Sequence, residues 1–152
     1  MAAVVTIATY VIRIPVPATS GYFNVGDAMV FASALLLGPF VGGVDGGLGS
    51  ALADMWGGYW EFVPITLVVK GAEGLLAGFI SNGHNTLRDL LAVLVGGAAM
   101  VFGYFISETY VLGLGQATAL VEVPWNVLQI TVGGLVGIPV SYAVSRYARD
   151  LR

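Results

Sequence analysis

Long apolar runs broken by very few charges constrain this chain more than any other feature. Of its 152 residues, 57% are hydrophobic and 10% are charged. An ordinary soluble domain carries roughly 25% charged residues, and small domains leave a large share of their surface exposed after folding. Water would therefore meet more apolar surface than a soluble fold of this size tolerates, and the bilayer is the solvent that fits. A transmembrane helix uses about 20 residues, so six helices would take about 120. Only short connections are left over, and no second domain. The expected fold class is all-α integral membrane: one six-transmembrane-helix bundle formed by residues 1–152.

Polar, proline and glycine punctuation divides the chain into spans at about residues 2–16, 24–37, 39–56, 63–80, 87–112 and 123–147. The first run is short for a membrane crossing. It could pass for a signal peptide, but no basic segment precedes it, so a retained helix is expected. Pro15, Pro17, Thr19, Ser20 and Gly21 read as a loop. Gly38-Pro39 breaks the chain because proline disfavours helix in the residue before it. Pro64 and Pro124 suit helix starts, and Pro139 predicts a kink.

Six spans put both termini on one side. That side holds Arg88, Arg146, Arg149 and Arg152, against Arg13 alone on the other. An excess of basic residues marks the cytoplasmic face, so both termini are expected in the cytoplasm. Tyr22, Phe23, Trp56, Tyr59, Trp60 and Trp125 then fall in the outer connections, where single aromatics also serve as interface anchors.

Charges inside spans cost about 2.5–3.5 kcal/mol each on insertion scales. Here they are Asp27, Asp45, Asp54, Lys70, Glu73 and Glu108. The long Lys70 stem can carry its ammonium toward Asp54; an Asp54–Lys70 ion pair is expected, with direct ligand contact as the alternative. Glu73 shares a helix face with Lys70, three residues away. Asp45 lies near the inner end of its span, where packing or a partner contact is its expected role. Glu108 follows Tyr104 by one turn, and Asn126 and Gln129 stand three apart. With Glu61, these groups converge on the outer half of the bundle. An outward polar pocket walled by aromatics suits a small, flat, polar molecule. Its expected contacts are Tyr22, Asn24, Asp54, Trp60, Glu61, Lys70, Glu108, Asn126 and Gln129, with Trp60 and Tyr22 over the flat face. The recurrent glycines read as internal helix packing, or as a smooth face for another membrane protein.

Several chemistries are excluded. With no cysteine, there is no disulfide or thiolate site. The net charge of −3 with six basic residues argues against a nucleic-acid partner. The only lysine is not in a phosphate-binding G-x-x-x-x-G-K-[ST] loop, and no G-x-S-x-G is present. A lone histidine, His84, is read as solvated. No catalytic set, metal site or cofactor is expected, and the chain is not an enzyme.

The order of residues resembles a known family. The stretch Ile14 to Ala28 (IPVPATSGYFNVGDA) is similar to the first loop and second helix of the substrate-binding S components of energy-coupling factor (ECF) transporters. Leu37 to Gly43 (LGPFVGG) and Gly49 to Asp54 (GSALAD) resemble the third helix. Pro64 to Gly78 (PITLVVKGAEGLLAG) resembles the fourth. Ser107 to Tyr110 (SETY) and Glu122 to Gln129 (EVPWNVLQ) resemble the fifth and sixth. The resemblance covers nearly the whole chain and is nearest the riboflavin-transporter-like branch. It implies an outward pocket gated by the first loop. It also implies vitamin uptake at the cell membrane, with a transmembrane coupling protein and two ATP-binding-cassette ATPases as partners. One departure concerns helix one, where S components commonly carry Ala-x-x-x-Ala; here Ala2 and Thr6 keep only the small-x-x-x-small spacing. Two other functions fit the same residues: a solitary proton-coupled carrier using Glu73, Glu108 or Asp54, and a non-transporting membrane assembly protein.

Overall fold

The computed structural model describes residues 1–16, 21–81 and 85–150, with the side chains of 149 and 150 excluded. The loop residues Pro17, Thr19 and Ser20, the inner-loop His84, Arg152 and the side chain of Arg149 lie outside this set.

Among the described residues, the regular elements are helices and one short hairpin. Helix α1 (Ala2–Val11) leads into strands β1 (Arg13–Val16) and β2 (Gly21–Asn24). Then follow α2 (Gly26–Leu37), α3 (Pro39–Gly57), α4 (Val63–Ile80) and α5 (Thr86–Ile106). A π turn, Ser107–Val111, extends α5, and α6 covers Gln116–Asp150.

The hairpin corrects the expected first span, 2–16. Pro15 has no N–H for a helical ladder, and it biases Ile14 toward extended backbone. The helix therefore stops at Val11. Residues 13–16 pair antiparallel with 21–24, Arg13 opposite Asn24 and Val16 opposite Gly21. The second helix consequently starts at Gly26 rather than residue 24, and the Asn24 side chain accepts a hydrogen bond from Gly26 N at 2.8 Å. The expected 39–56 and 63–80 spans correspond to α3 and α4. The last helix begins at Gln116, so Pro124 lies inside it rather than at its start. Gly113 and Gly115, at φ +67° and +84°, provide the left-handed backbone that turns the chain into α6.

Helix α2 is central. Nine of its twelve residues are buried, and it packs against α1, α3, α4 and α6. Helix α5 lies between α4 and α6. An apolar cluster of Phe31, Leu35, Ala77 and Val93 fills the end away from the hairpin. The recurrent glycines face the chain's own helices: a Cβ on Gly42, Gly46, Gly96, Gly133 or Gly137 would strike a neighbouring helix within 2.8 Å. Asp45 is also internal, accepting from Ser33 Oγ at 2.5 Å.

Burial is inverted relative to a soluble protein. Phe40, Trp56, Val68, Leu94 and Leu135 are exposed, whereas Asp27, Lys70, Glu73, Asp89 and Glu108 are buried. Ionisable side chains that face inward while large apolar ones face outward are what a bilayer selects. Three helices, at 63–80, 86–111 and 116–148, are long and apolar enough to cross a membrane. The protein is an all-α membrane protein.

Candidate functional site

At the hairpin end, the helices and the hairpin line a cavity of about 30 Å³. That is room for a water molecule or two, far below the roughly 300–1,000 Å³ of a typical ligand pocket. Its wall draws on every helix except α2: Thr9 of α1, Tyr22 and Asn24 of β2, Ser50 and Asp54 of α3, Thr66 and Lys70 of α4. Tyr104, Glu108, Glu122, Asn126 and Gln129 come from α5, the π turn and α6.

The roof is the hairpin. Tyr22 donates its phenolic proton to Asp54, and its ring lies 4.7 Å from that of Tyr59. The Arg13 guanidinium sits 4.2 Å above the Tyr10 ring and within 6 Å of Tyr22 and Tyr59. The base of the hairpin is tied to α6: Asn24 N and Nδ2 donate to Gln129 Oε1 at 3.0 and 3.1 Å.

Gln129 continues that chain downward, donating from Nε2 to the Asp27 carboxylate at 3.2 and 3.3 Å. Asp27 in turn accepts from Lys70, whose ammonium also donates to Glu73 at 2.9 Å. One ammonium thus stands between two carboxylates, all three side chains buried. This corrects the expected Asp54–Lys70 pair. The Lys70 stem reaches α2, not α3, and the Tyr22 hydroxyl occupies Asp54. On the remaining wall, Thr66 Oγ1 and Tyr104 OH share a hydrogen bond of 2.9 Å.

Glu108 sits on the π turn, fully buried, with the Glu122 carboxyl group as its neighbour. Glu122 also lies against the hairpin, where a Cβ on Gly21 would come within 2.1 Å of its Oε1. Glycine at position 21 is what lets the two elements approach.

Of the nine contacts expected from sequence, the cavity brings together seven: Tyr22, Asn24, Asp54, Lys70, Glu108, Asn126 and Gln129. It does not include Trp60 or Glu61. Both are exposed in the connection between α3 and α4, Trp60 by 65%, and Tyr59 makes the aromatic contact with Tyr22 in their place. Sequence reasoning missed Thr9, Ser50, Thr66 and Glu122. For Glu122 a signal existed: residues 122, 126 and 129 follow the i, i+4, i+7 spacing of one helical face. An α6 expected to start at residue 123 left Glu122 outside it.

Comparison with known proteins identifies the family. The family profile of the ECF-type riboflavin transporter S component matches residues 1–146. An uncharacterized protein of Pyrococcus woesei is 43% identical over 143 residues, covering 93% of this chain and 95% of that protein. The thiamine precursor transporter HmpT of Lactococcus lactis subsp. cremoris (strain MG1363) is 29% identical over 133 residues, covering 87% of this chain and 75% of HmpT. A match over almost the entire length fixes the assignment: the chain belongs to the ECF-type riboflavin transporter S component family, whose members are transport subunits and not enzymes.

Proposed function

We propose that this protein captures a small water-soluble vitamin or vitamin precursor outside the cell and delivers it through the membrane. On this reading it works in complex with a transmembrane coupling protein and two ATP-binding-cassette ATPases. It is a single-domain, multi-pass protein of the cell membrane, with six crossings and both termini in the cytoplasm. The observation that carries the reading is the cavity itself. Polar groups from the hairpin and from every helix except α2 converge at one end of an apolar-surfaced bundle, under a roof held by a few hydrogen bonds and ring contacts. Polar side chains facing the interior of a membrane protein need partners, and a captured polar ligand supplies them. At about 30 Å³ the cavity is too small for a vitamin, so on this reading binding requires its walls to move apart, the hairpin among them. Tyr22, Asp54, Lys70, Glu108, Asn126 and Gln129 are the proposed contacts. Trp60 and Glu61 can join only if their connection folds inward with the hairpin. The thiamine precursor named for HmpT supports a precursor-sized ligand here.

Native mass spectrometry of protein purified without added ligand tests this reading. The expected result is a co-purified species of vitamin-like mass. Uptake into proteoliposomes driven by a pH gradient alone, with no ATPase present, would instead make the protein a solitary carrier.

A further inference from the structure

A groove of about 530 Å³ runs along the outer surface of the bundle between α5 and α6. Leu87, Leu90 and Leu94 form one bank, and Thr131, Leu135 and Pro139 the other. The four leucines are exposed. Beneath them the helices touch: a Cβ on Gly134 would meet Val93 Cγ1 at 2.7 Å. The two ends of the groove differ. At the Leu94 end Thr131 turns its hydroxyl back onto its own helix, donating to Val127 O at 2.8 Å, so that end presents only apolar surface. The other end is polar. Thr86 lines it, and Tyr142 closes it by donating to Asp89 at 2.8 Å. Residues 135, 139, 142 and 146 follow the i, i+4, i+7, i+11 spacing of one helical face. The α6 bank therefore continues past the mouth to Arg146, about 10 Å beyond Pro139 at 1.5 Å per residue. Arg146 is exposed and has no ion pair among the described residues. The acid at this end, Asp89, is buried and engaged by the Ser81 and Tyr142 hydroxyls.

We propose that the α5–α6 groove is a site for one anionic phospholipid, its hydrocarbon chain lying between the helices and its phosphate on Arg146. An apolar trough that ends at an unpaired guanidinium is complementary to a molecule with a chain and an anionic head. Guanidinium and phosphate pair through charge-assisted hydrogen bonds, and a basic side chain near the membrane surface attracts anionic lipid. A zwitterionic lipid fits the groove but brings its own cation to the arginine. A partner helix is a poorer match, because close helix contacts in membranes use small residues, and here the banks are leucine while the glycine lies buried between the helices. The inference rests on the membrane placement of the bundle and not on what the cavity beneath the hairpin binds.

The test is native mass spectrometry of the full-length protein, released from detergent micelles that hold phosphatidylglycerol and phosphatidylcholine with identical chains in equal amounts. One retained lipid per chain is expected, with phosphatidylglycerol preferred. Arg146→Gln should cut that preference roughly fivefold, the contribution of one basic side chain near a membrane surface. Thr131→Trp fills the apolar end and should remove the retained lipid of either kind. Both positions are exposed, so both variants should melt with the wild type, and Arg146→Gln tests the headgroup contact independently of the groove. Equal retention of the two lipids by the wild type, a preference unchanged in Arg146→Gln, or lipid retention unchanged in Thr131→Trp overturns the inference. So does a dimer that Thr131→Trp dissociates, which would make the groove an interface between copies of this chain. Each of these outcomes leaves the vitamin-capture reading intact.

Discussion

Lys70 holds one positive charge between Asp27 on α2 and Glu73 one turn along its own helix, and the order of their importance can be derived. Removing the lysine leaves two carboxylates together in a buried site. Removing one carboxylate leaves a balanced pair. Lys70→Met should therefore destabilise the protein by about 3–5 kcal/mol, the cost of breaking a buried ion pair from one side. Glu73→Gln should cost much less, since an amide oxygen still accepts from the ammonium and one excess charge is gone. Thermal unfolding in detergent micelles checks the order; equal losses for the two variants would mean that charge balance is not what the triad provides. The Glu73 half of the triad was legible in the i, i+3 spacing. The Asp27 half was not. Asp27 and Asp54 lie at similar depths on neighbouring spans, and depth is all that a sequence conveys. The choice between them comes from two tertiary facts: α2 is the central helix, and a tyrosine from the hairpin claims Asp54.

Helix α4 and the hairpin show how whole elements are fixed in place. A Cβ on Gly74 would sit 2.2 Å from the Gly42 carbonyl oxygen of α3, an atom that cannot move without the helix. On Gly71, one turn away, the nearest atom would be 3.5 Å off, an ordinary contact. Gly74→Ala should cost about 1–3 kcal/mol by overpacking, while Gly71→Ala should be nearly neutral, as measured by thermal unfolding. The glycine stripe was visible in the sequence, but which of its members touch backbone was not, because that depends on the crossing of two helices. The hairpin is held differently, by side chains. Gln129→Ala removes the acceptor for both Asn24 donors. Leaving buried donors unsatisfied costs roughly 1–3 kcal/mol. The Asn24 amide should then exchange with deuterium roughly 10-fold faster or more, with the protection of the central helix α2 retained; unchanged exchange would show that the hairpin is held by its tyrosines alone. The prolines in this segment signalled a break in helix, but a strand rather than a loop was hidden. Pairing depends on a partner segment, 21–24, that shows no alternation of its own.

At the scale of the molecule, charge and hydropathy together orient the bundle. Helices α1 and α2 have 10 and 12 residues, or about 15 and 18 Å at 1.5 Å per residue, too short alone for a hydrocarbon core of about 30 Å. Each is prolonged by one strand of the hairpin. Non-helical backbone is tolerated at membrane depth where it pairs internally and lines a cavity, and the hairpin does both. The ends of the bundle differ in charge. Asp89 of α5 accepts from Ser81 Oγ at 2.6 Å and from Tyr142 OH at 2.8 Å. That clamp gathers the end of α4, the start of α5 and the tail of α6, and with them Arg88 and Arg146, at one end. Arg13 stands with the tyrosines at the other. Basic residues concentrate on the cytoplasmic side, so the cavity should open outward. The chain has no native cysteine, which allows a clean test by labelling intact cells with a membrane-impermeant thiol reagent. Trp60→Cys, exposed between α3 and α4, should be labelled from outside. Asn85→Cys, at the opposite end, should be labelled only after the cells are opened. Asn85 caps α5 by accepting from Leu87 N and Arg88 N at 2.9 and 3.3 Å, and its loss costs about 1 kcal/mol, which leaves the long α5 helix in place. The reverse pattern would turn the cavity toward the cytoplasm, and a capture subunit cannot work from there.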